Sequence, residues 1–408
     1  MKTPTITKTS PCIVLGLETQ IGLGIVRELG RAGVSVVGIA HKSSAIGLKS
    51  RYLKRGIVIV QPRSDELLRC LQALSEEYGE ASLLTVSEAN LSWLLKHRDN
   101  LGALRPVLPH LDALNTVLDK QKTLAIAEEL GIKVPQTVEP KSFEDLEILA
   151  NRLNFPVVLK WSDPNAMGPL LSAQKIPLLK AEYAANSNEL LSIGQRYIAI
   201  GRWPLVQEYC AGVGLGQFFY MHDGQALRRF QHVRIAEWPP EGGFSSVCDS
   251  IPLSEHCDLQ ERSIALLQAI GWEGVAMVEY RFDPHTNQAA LMEINGRFWG
   301  SFPLAVHCGA GFALMAHCVQ GQQRTVPVLG QIVSHQRCRM VGTELKRLFR
   351  ILLQPQKIRD PYFKKQPLRE VTRFFIDFLR PNVCYYLWAI DDPAPFFKDL
   401  LNIAFRRS

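Results

Sequence analysis

The chain has 408 residues, 47% apolar and 21% charged, with 46 Lys and Arg against 39 Asp and Glu, a formal charge of +7. That composition excludes a disordered or fibrous chain, and the length suits two or three domains with a sizeable core. No stretch approaches the ~20 uncharged apolar residues of a membrane span. The first residues hold no apolar segment of signal-peptide length, so a cytoplasmic location is expected. Nine cysteines without a C-x-x-C pair indicate neither a disulfide framework nor a zinc ribbon.

The elements follow in chain order. The apolar run from Cys12 to Gly16 reads as a buried parallel strand, and Ile21–Gly30 as the helix after it. Val34–Ala40, Ile57–Val60 and Leu83–Val86 continue the strand series, with a helix over Asp65–Glu77. Strand, glycine turn, helix and strand make a right-handed βαβ unit. Residues 1–115 are therefore expected to form a small parallel α/β domain. Gly16, Gly22 and Gly24 do not fit G-x-G-x-x-G, because five residues separate the first two. Ala40, His41 and Lys42 stand where a ribose-binding acid belongs, so a domain that only packs outweighs a dinucleotide site.

From residue 116 the pattern changes. Asp119–Gly131 reads as a helix ended by its glycine, and another starts at Ser142. Phe155–Lys160 and Leu205–Cys210 read as strands, and Gly212, Gly214 and Gly216 after the second as a turn. Val275–Tyr280 and Ala289–Ile294 are apolar strands around the turn Asp283-Pro-His-Thr-Asn287, and each holds one Glu. A carboxylate inside a buried strand is costly unless it is paired or metal-bound. Glu279 and Glu293 can point to one face with Asn295 two residues on, offering hard oxygen ligands for Mg²⁺. The alternative is that each meets a buried Arg, with Arg281 and Arg297 available.

The motifs Met277-Val-Glu-Tyr-Arg281 and Leu291-Met-Glu-Ile-Asn-Gly-Arg-Phe-Trp-Gly-Ser301 resemble the metal-binding core of ATP-grasp ligases. Leu118-Asp-Lys120, Gly131-Ile-Lys-Val-Pro135, Phe155-Pro-Val-Val-Leu-Lys160 and Val206-Gln-Glu-Tyr-Cys210 fall in the family's order over residues 12 to about 320. His232-Val-Arg-Ile-Ala-Glu-Trp-Pro-Pro240 is most similar to the carbamoyl-phosphate-synthetase-like carboxylate–amine ligases. The resemblance implies a Rossmann-like domain over 1–115 and a two-lobed α+β ATP-grasp domain over 116–325, with its lid at about 155–210. A basic, aromatic-rich helical segment over 326–408 would follow.

It also implies roles. Lys120 and Lys160 would neutralise ATP phosphates, and Gln207, Glu208, Tyr209 and Cys210 would form the adenine hinge. Glu279, Glu293 and Asn295 would hold two Mg²⁺ ions, with Mn²⁺ as a substitute. Arg297 would hold the transferred phosphoryl group. Arg234 is a second candidate for an anion, against a salt bridge with Glu237 or Glu241. Gly242, Gly243, Ser245 and Ser301 are candidates for the substrate side, against a plain surface loop. The implied activity is an ADP-forming ligase that activates a small carboxylate as an acyl phosphate for an amine. The alternatives are a nucleotide-cofactor oxidoreductase and a non-catalytic ATP-binding scaffold. The stretch Trp161–Leu170 holds one glycine where the family closes a Gly-rich loop over the phosphates. His307-Cys308 and His317-Cys318 have no usual zinc spacing and are expected to pack in the core.

The charge is unevenly spread. Residues 344–408 hold 13 Lys and Arg, 7 Asp and Glu, and 12 of the 35 aromatics, leaving the first 343 residues near +1. A uniformly basic nucleic-acid-binding protein is thereby disfavoured. Leu345–Leu353 reads as an amphipathic helix with a basic face, followed by helices over Val371–Leu379 and Pro395–Phe405 and then Arg406 and Arg407. Packing on the body with solvated charges is expected for this segment. Contact with an anionic membrane surface or a partner protein is the alternative.

Overall fold

The structure is a computed structural model and describes residues 10–162, 164–179, 181–358 and 360–405. Arg406 and Arg407 lie outside the described residues. Five parallel strands make the first sheet: β1 (Cys12–Leu15), β2 (Val36–Ala40), β3 (Leu53–Val58), β4 (Ser82–Thr85) and β5 (Arg105–Pro106). Their order is β3-β2-β1-β4-β5. The apolar side chains of β1, β2 and β4 are buried on both faces, which is why they read as continuous apolar runs. Gly22 lies against the Gly16 carbonyl, where an added Cβ would sit 2.0 Å from the oxygen. This glycine serves the close packing of helix Gln20–Arg31 on β1.

A four-stranded antiparallel sheet follows: β6 (Thr137–Val138), β7 (Val157–Lys160), β8 (Glu182–Ala184) and β9 (Leu205–Glu208), in the order β6-β9-β7-β8. Local signals set its flanking helices. Asp119 caps helix Lys120–Glu129 through the N–H groups of Gln121 and Lys122, Gly131 turns the chain at φ 68°, and Ser142 caps Phe143–Ala150. The stretch expected as a loop after β7 is instead helix Pro164–Ala173, with Asp163 outside the described residues. Pro164 suits a first helical turn, where the missing N–H costs nothing.

The third sheet has seven strands. β10 (Val213–His222), β11 (Gln225–Trp238), β12 (Phe244–Ser250), β13 (Gly274–Asp283) and β14 (Gln288–Asn295) pair antiparallel in the order β14-β13-β10-β11-β12. Two strands from the C-terminal segment, β15 (Arg337–Arg339) and β16 (Val383–Tyr385), extend this sheet beyond β12. The segment expected as helical thus also supplies sheet edge. Gly214 and Gly216, expected in a turn, lie within β10, and only Gly212 turns the chain, at φ 108°.

Helix Gln20–Arg31 docks the first sheet on the third: Leu23 and Val26 share a buried cluster with Trp299, Phe302, Phe312 and Tyr386. His317 sits in this interior and pairs through Nδ1 with Ser82 Oγ at 2.6 Å, and Cys308 and Cys318 are buried. No helix among the described residues is long and apolar enough to cross a membrane.

Glu28 of the docking helix is buried and accepts the Leu314 N–H at 2.9 Å. Burial pushes its carboxyl up to about 7, outweighing the backbone donors. Its folded value lies above the ordinary carboxylate value, so the folded state holds the proton more tightly. Stability is therefore expected to fall as pH rises from about 4.5 to about 7 and to level off above. Glu28→Gln keeps the acceptor and should remove that fall, raising stability at pH 8 by roughly 3 kcal/mol. Urea unfolding at pH 5 and pH 8 measures it, and an unchanged pH slope in the variant would contradict this account.

Candidate active site

A cleft of about 1860 Å³ opens between the second and third sheets. Glu279 and Glu293 stand directly opposite each other on β13 and β14. The hairpin turn, with Asn287 at φ 54°, sets Tyr280 opposite Leu291, and a bulge at Met292 then brings Glu293 rather than Met292 opposite Glu279. Their partners are not the Arg281 and Arg297 of the sequence alternative. Arg234 on β11 donates from Nη2 to Glu279 at 2.6 Å and from Nη1 to Glu237 at 2.9 Å. Arg281 Nη1 donates to the other Glu237 oxygen at 3.2 Å. Lys120 Nζ reaches Glu293 at 3.4 Å. Gly214 makes this possible: an added Cβ there would sit 2.5 Å from Arg234 Cδ.

Charges alternate along this row until the two glutamates meet. Burial pushes the Glu279 carboxyl up, against Arg234, and the like charge of Glu293 adds to the rise. Burial also opposes ionisation of Glu293, but Lys120, Asn295 and Arg234 outweigh it and hold its carboxyl below the ordinary range. Asn295 Nδ2 donates to Glu293 at 3.1 Å, and its Oδ1 accepts from Arg297 Nη2 at 3.0 Å. Arg297 also donates from Nη1 to Phe298 O at 3.0 Å and lies 3.7 Å from Glu88. Glu88, which the sequence reading missed, comes from the first domain, so that domain braces the site.

Lys160 ends β7 and donates to Gln207 Oε1 at 3.5 Å. Gln207 is buried and donates to Thr137 Oγ1 at 2.9 Å. The hinge expectation narrows here. The Glu208 and Tyr209 N–H groups already donate to Gln136 O at 2.8 Å and Pro156 O at 3.2 Å. Those two N–H groups are therefore already engaged within the protein.

On the substrate side, Gly242 and Gly243 line the cleft, but Ser245 and Ser301 do not. Both serines are buried, and Ser245 Oγ donates to Val247 O at 3.1 Å. Gly243 serves the turn between β11 and β12, where a Cβ would meet Trp238 O at 1.9 Å. Arg234 makes the salt bridge with Glu237 that its sequence position allowed, and its Nε is buried without a partner among the described residues.

The sequence reading also missed the far wall. Residues 347–369, outside the recognised motifs, line the same cleft through Arg347, Arg350, Lys357, Tyr362, Lys364 and Arg369. The only signal for them was the clustering of basic and aromatic residues in that segment. The expected orientation of their helix is reversed. In Val341–Leu353 the buried positions are Thr343, Glu344, Arg347 and Ile351, while Leu345, Phe349, Leu352 and Leu353 are exposed.

No family model matches the sequence, and no curated protein matches it. Solved structures do. The biotin carboxylase domain of the Hydrogenobacter thermophilus 2-oxoglutarate carboxylase, a complex with MgADP, ADP and bicarbonate, superimposes with a TM-score of 0.61 at 15% identity, over 81% of this chain and 74% of that one. The L-amino acid ligase of Bacillus licheniformis gives 0.56 at 15% identity, over 81% and 79%. The N5-carboxyaminoimidazole synthetase of Staphylococcus aureus gives 0.59 at 13% identity, over 88% and 89%. Sheet order, opposed glutamates and these superpositions agree: the chain has the ATP-grasp fold.

Proposed function

We propose that the protein is an ADP-forming, Mg²⁺-dependent ligase that joins a small carboxylate to an amine. The observation that carries this reading is the pair Glu279 and Glu293, opposed in register in a cleft also lined by Lys120, Lys160 and Arg297. Two facing carboxylates, one driven toward its protonated form by burial and by the other's charge, fit a hard divalent cation. Glu279, Glu293 and Asn295 would hold Mg²⁺, which offsets phosphate charge as phosphoryl transfer proceeds.

The chain's own residues bind and orient. Lys120 and Lys160 neutralise phosphate oxygens, the backbone at Cys210 meets the adenine edge, and Arg297 holds the transferred group. Arg234 fixes Glu279 in place. An oxygen of the substrate carboxylate attacks the γ-phosphorus, and the bond to ADP breaks. The amine nitrogen then attacks the acyl carbon, phosphate leaves, and the amine proton passes to solvent. No protein nucleophile is needed. The turn after β1 adds no support for the oxidoreductase alternative, since its glycines serve packing and the His41 N–H donates to Glu18.

The test is ADP release over a panel of amino acids offered as paired acid and amine. Stimulation by a defined pair is expected. A rate that no pair raises above the substrate-free level would refute the ligase reading.

We infer a cytoplasmic reaction, with a contact at the inner face of an anionic bilayer. Exposed Leu345, Phe349, Leu352 and Leu353 support that contact, beside the surplus of basic residues in 344–408. Sedimentation with phosphatidylserine vesicles at low salt should retain the protein in the pellet. Protein left wholly in the supernatant would remove this contact.

A further inference from the structure

We propose that Arg347, Arg350, Lys357, Lys364 and Arg369 form a binding subsite for a second anionic group on the carboxylate substrate, carried beside an apolar or aromatic body. The inference rests on the ligase reading and names its substrate class.

The wall is cationic. Arg347, Arg350, Lys357, Lys364 and Arg369 line it, and its acid Asp360 is engaged by the Tyr209 hydroxyl at 3.2 Å and the Tyr362 N–H at 2.8 Å. Arg347 is 5% exposed. Its Nη2 donates to Glu370 at 2.8 Å, while Nε and Nη1 are buried without a partner among the described residues. A buried donor left unmet costs about 1–3 kcal/mol. Burial lowers the guanidinium's hold on its proton, Glu370 opposes this, and neighbouring Arg373 adds to it. A bound anion would relieve both costs, and a planar fork of donors suits a carboxylate or phosphate.

The cations are interleaved with rings. Arg350 lies 5.2 Å from the Trp238 ring and Arg347 5.5 Å from Phe363. Tyr362 meets Tyr209, just past the hinge strand, at 4.9 Å between centroids. Anion and apolar body would thus bind on the wall that abuts the nucleotide side.

The test uses the full chain with saturating MgADP, titrated calorimetrically with phenylsuccinate, phenyl phosphate and uncharged benzyl alcohol. Saturable binding of an aromatic anion, weakened by salt, is expected, with none for benzyl alcohol. Tighter phenylsuccinate identifies a distal carboxylate, and tighter phenyl phosphate a phosphate. Arg347→Gln should weaken the preferred anion about tenfold, and Lys357→Glu, at an exposed position, about threefold. MgADP affinity should stay unchanged in both. Failure of either anion to bind, or equal affinity in both variants and the parent, would overturn the subsite. A parent chain that fails to bind MgADP would instead refute the ligase reading, and the same titrations without nucleotide then decide the subsite.

Discussion

Glu293→Ala is expected to lower substrate-stimulated ADP release on the order of a thousandfold or more, with the fold retained. Glu293 faces Glu279 across the register and is held ionised chiefly by Lys120 at 3.4 Å and Asn295 at 3.1 Å. Removing it deletes one of the two proposed carboxylate ligands and leaves Glu279, still paired with Arg234, and Asn295. The fold should tolerate the change, because the side chains of Glu293 and Lys120 are 42% and 36% exposed and no charge is stranded in the core. Water can solvate the released ammonium. ADP release and near-ultraviolet circular dichroism, measured together, check both halves. Normal activity in a folded variant would remove Glu293 from the metal set.

Asp392→Ala is expected to cost about 3–5 kcal/mol of stability, the largest loss from any single contact between the C-terminal segment and the first domain. Asp392 is 1% exposed and Arg27 3% exposed. One Asp392 oxygen accepts from Arg27 Nε at 3.0 Å and Ser50 Oγ at 2.7 Å, and the other from the Arg51 N–H at 2.8 Å. Arg27 Nη2 also donates to the carbonyls of Leu387 and Asp392, at 2.8 and 2.7 Å. Truncating the acid strands a buried guanidinium and two further donors. The double replacement Arg27→Met with Asp392→Leu removes both charges and should recover part of the loss. Urea unfolding of the three variants measures this. A loss below about 1 kcal/mol for Asp392→Ala would show that the segment is held by its apolar contacts alone.

Much of the site was legible because its signals are local. A cap such as Asp119 or Ser142 acts within three residues, and Gly131 turns the chain where it stands. Alternation and a five-residue turn place the two glutamates on neighbouring strands, but the turn register alone would set Glu279 opposite Met292, and the bulge there brings Glu293 into place. The ionic partners were not legible. Arg234 reaches Glu279 only because β10 lies between β11 and β13 and carries Gly214 at the crossing. Ser245 and Ser301 looked like substrate contacts because serine in a glycine-rich stretch is ambiguous until burial is known. The long pairing of β10 with β11 escaped because its alternation is broken by glycines and by Arg228 and Arg229, which donate to the Ala310 carbonyl and to Glu261.

The sequence by itself determined the parallel first sheet and the placing of one glutamate on each of two neighbouring strands, since each depends on short-range pattern. Tertiary structure alone decided which way helix Val341–Leu353 faces. Its two faces are plain in the sequence, but the choice between them belongs to the surface it meets. That surface offers Glu370 to Arg347 and Arg339 of β15 to the helix's own Glu344, so Arg347 and Glu344 turn inward and Leu345, Phe349, Leu352 and Leu353 face out. The surplus behind the +7, expected as solvated charge on a packed segment, is in part built into the cleft wall, where Arg347 pairs with Glu370.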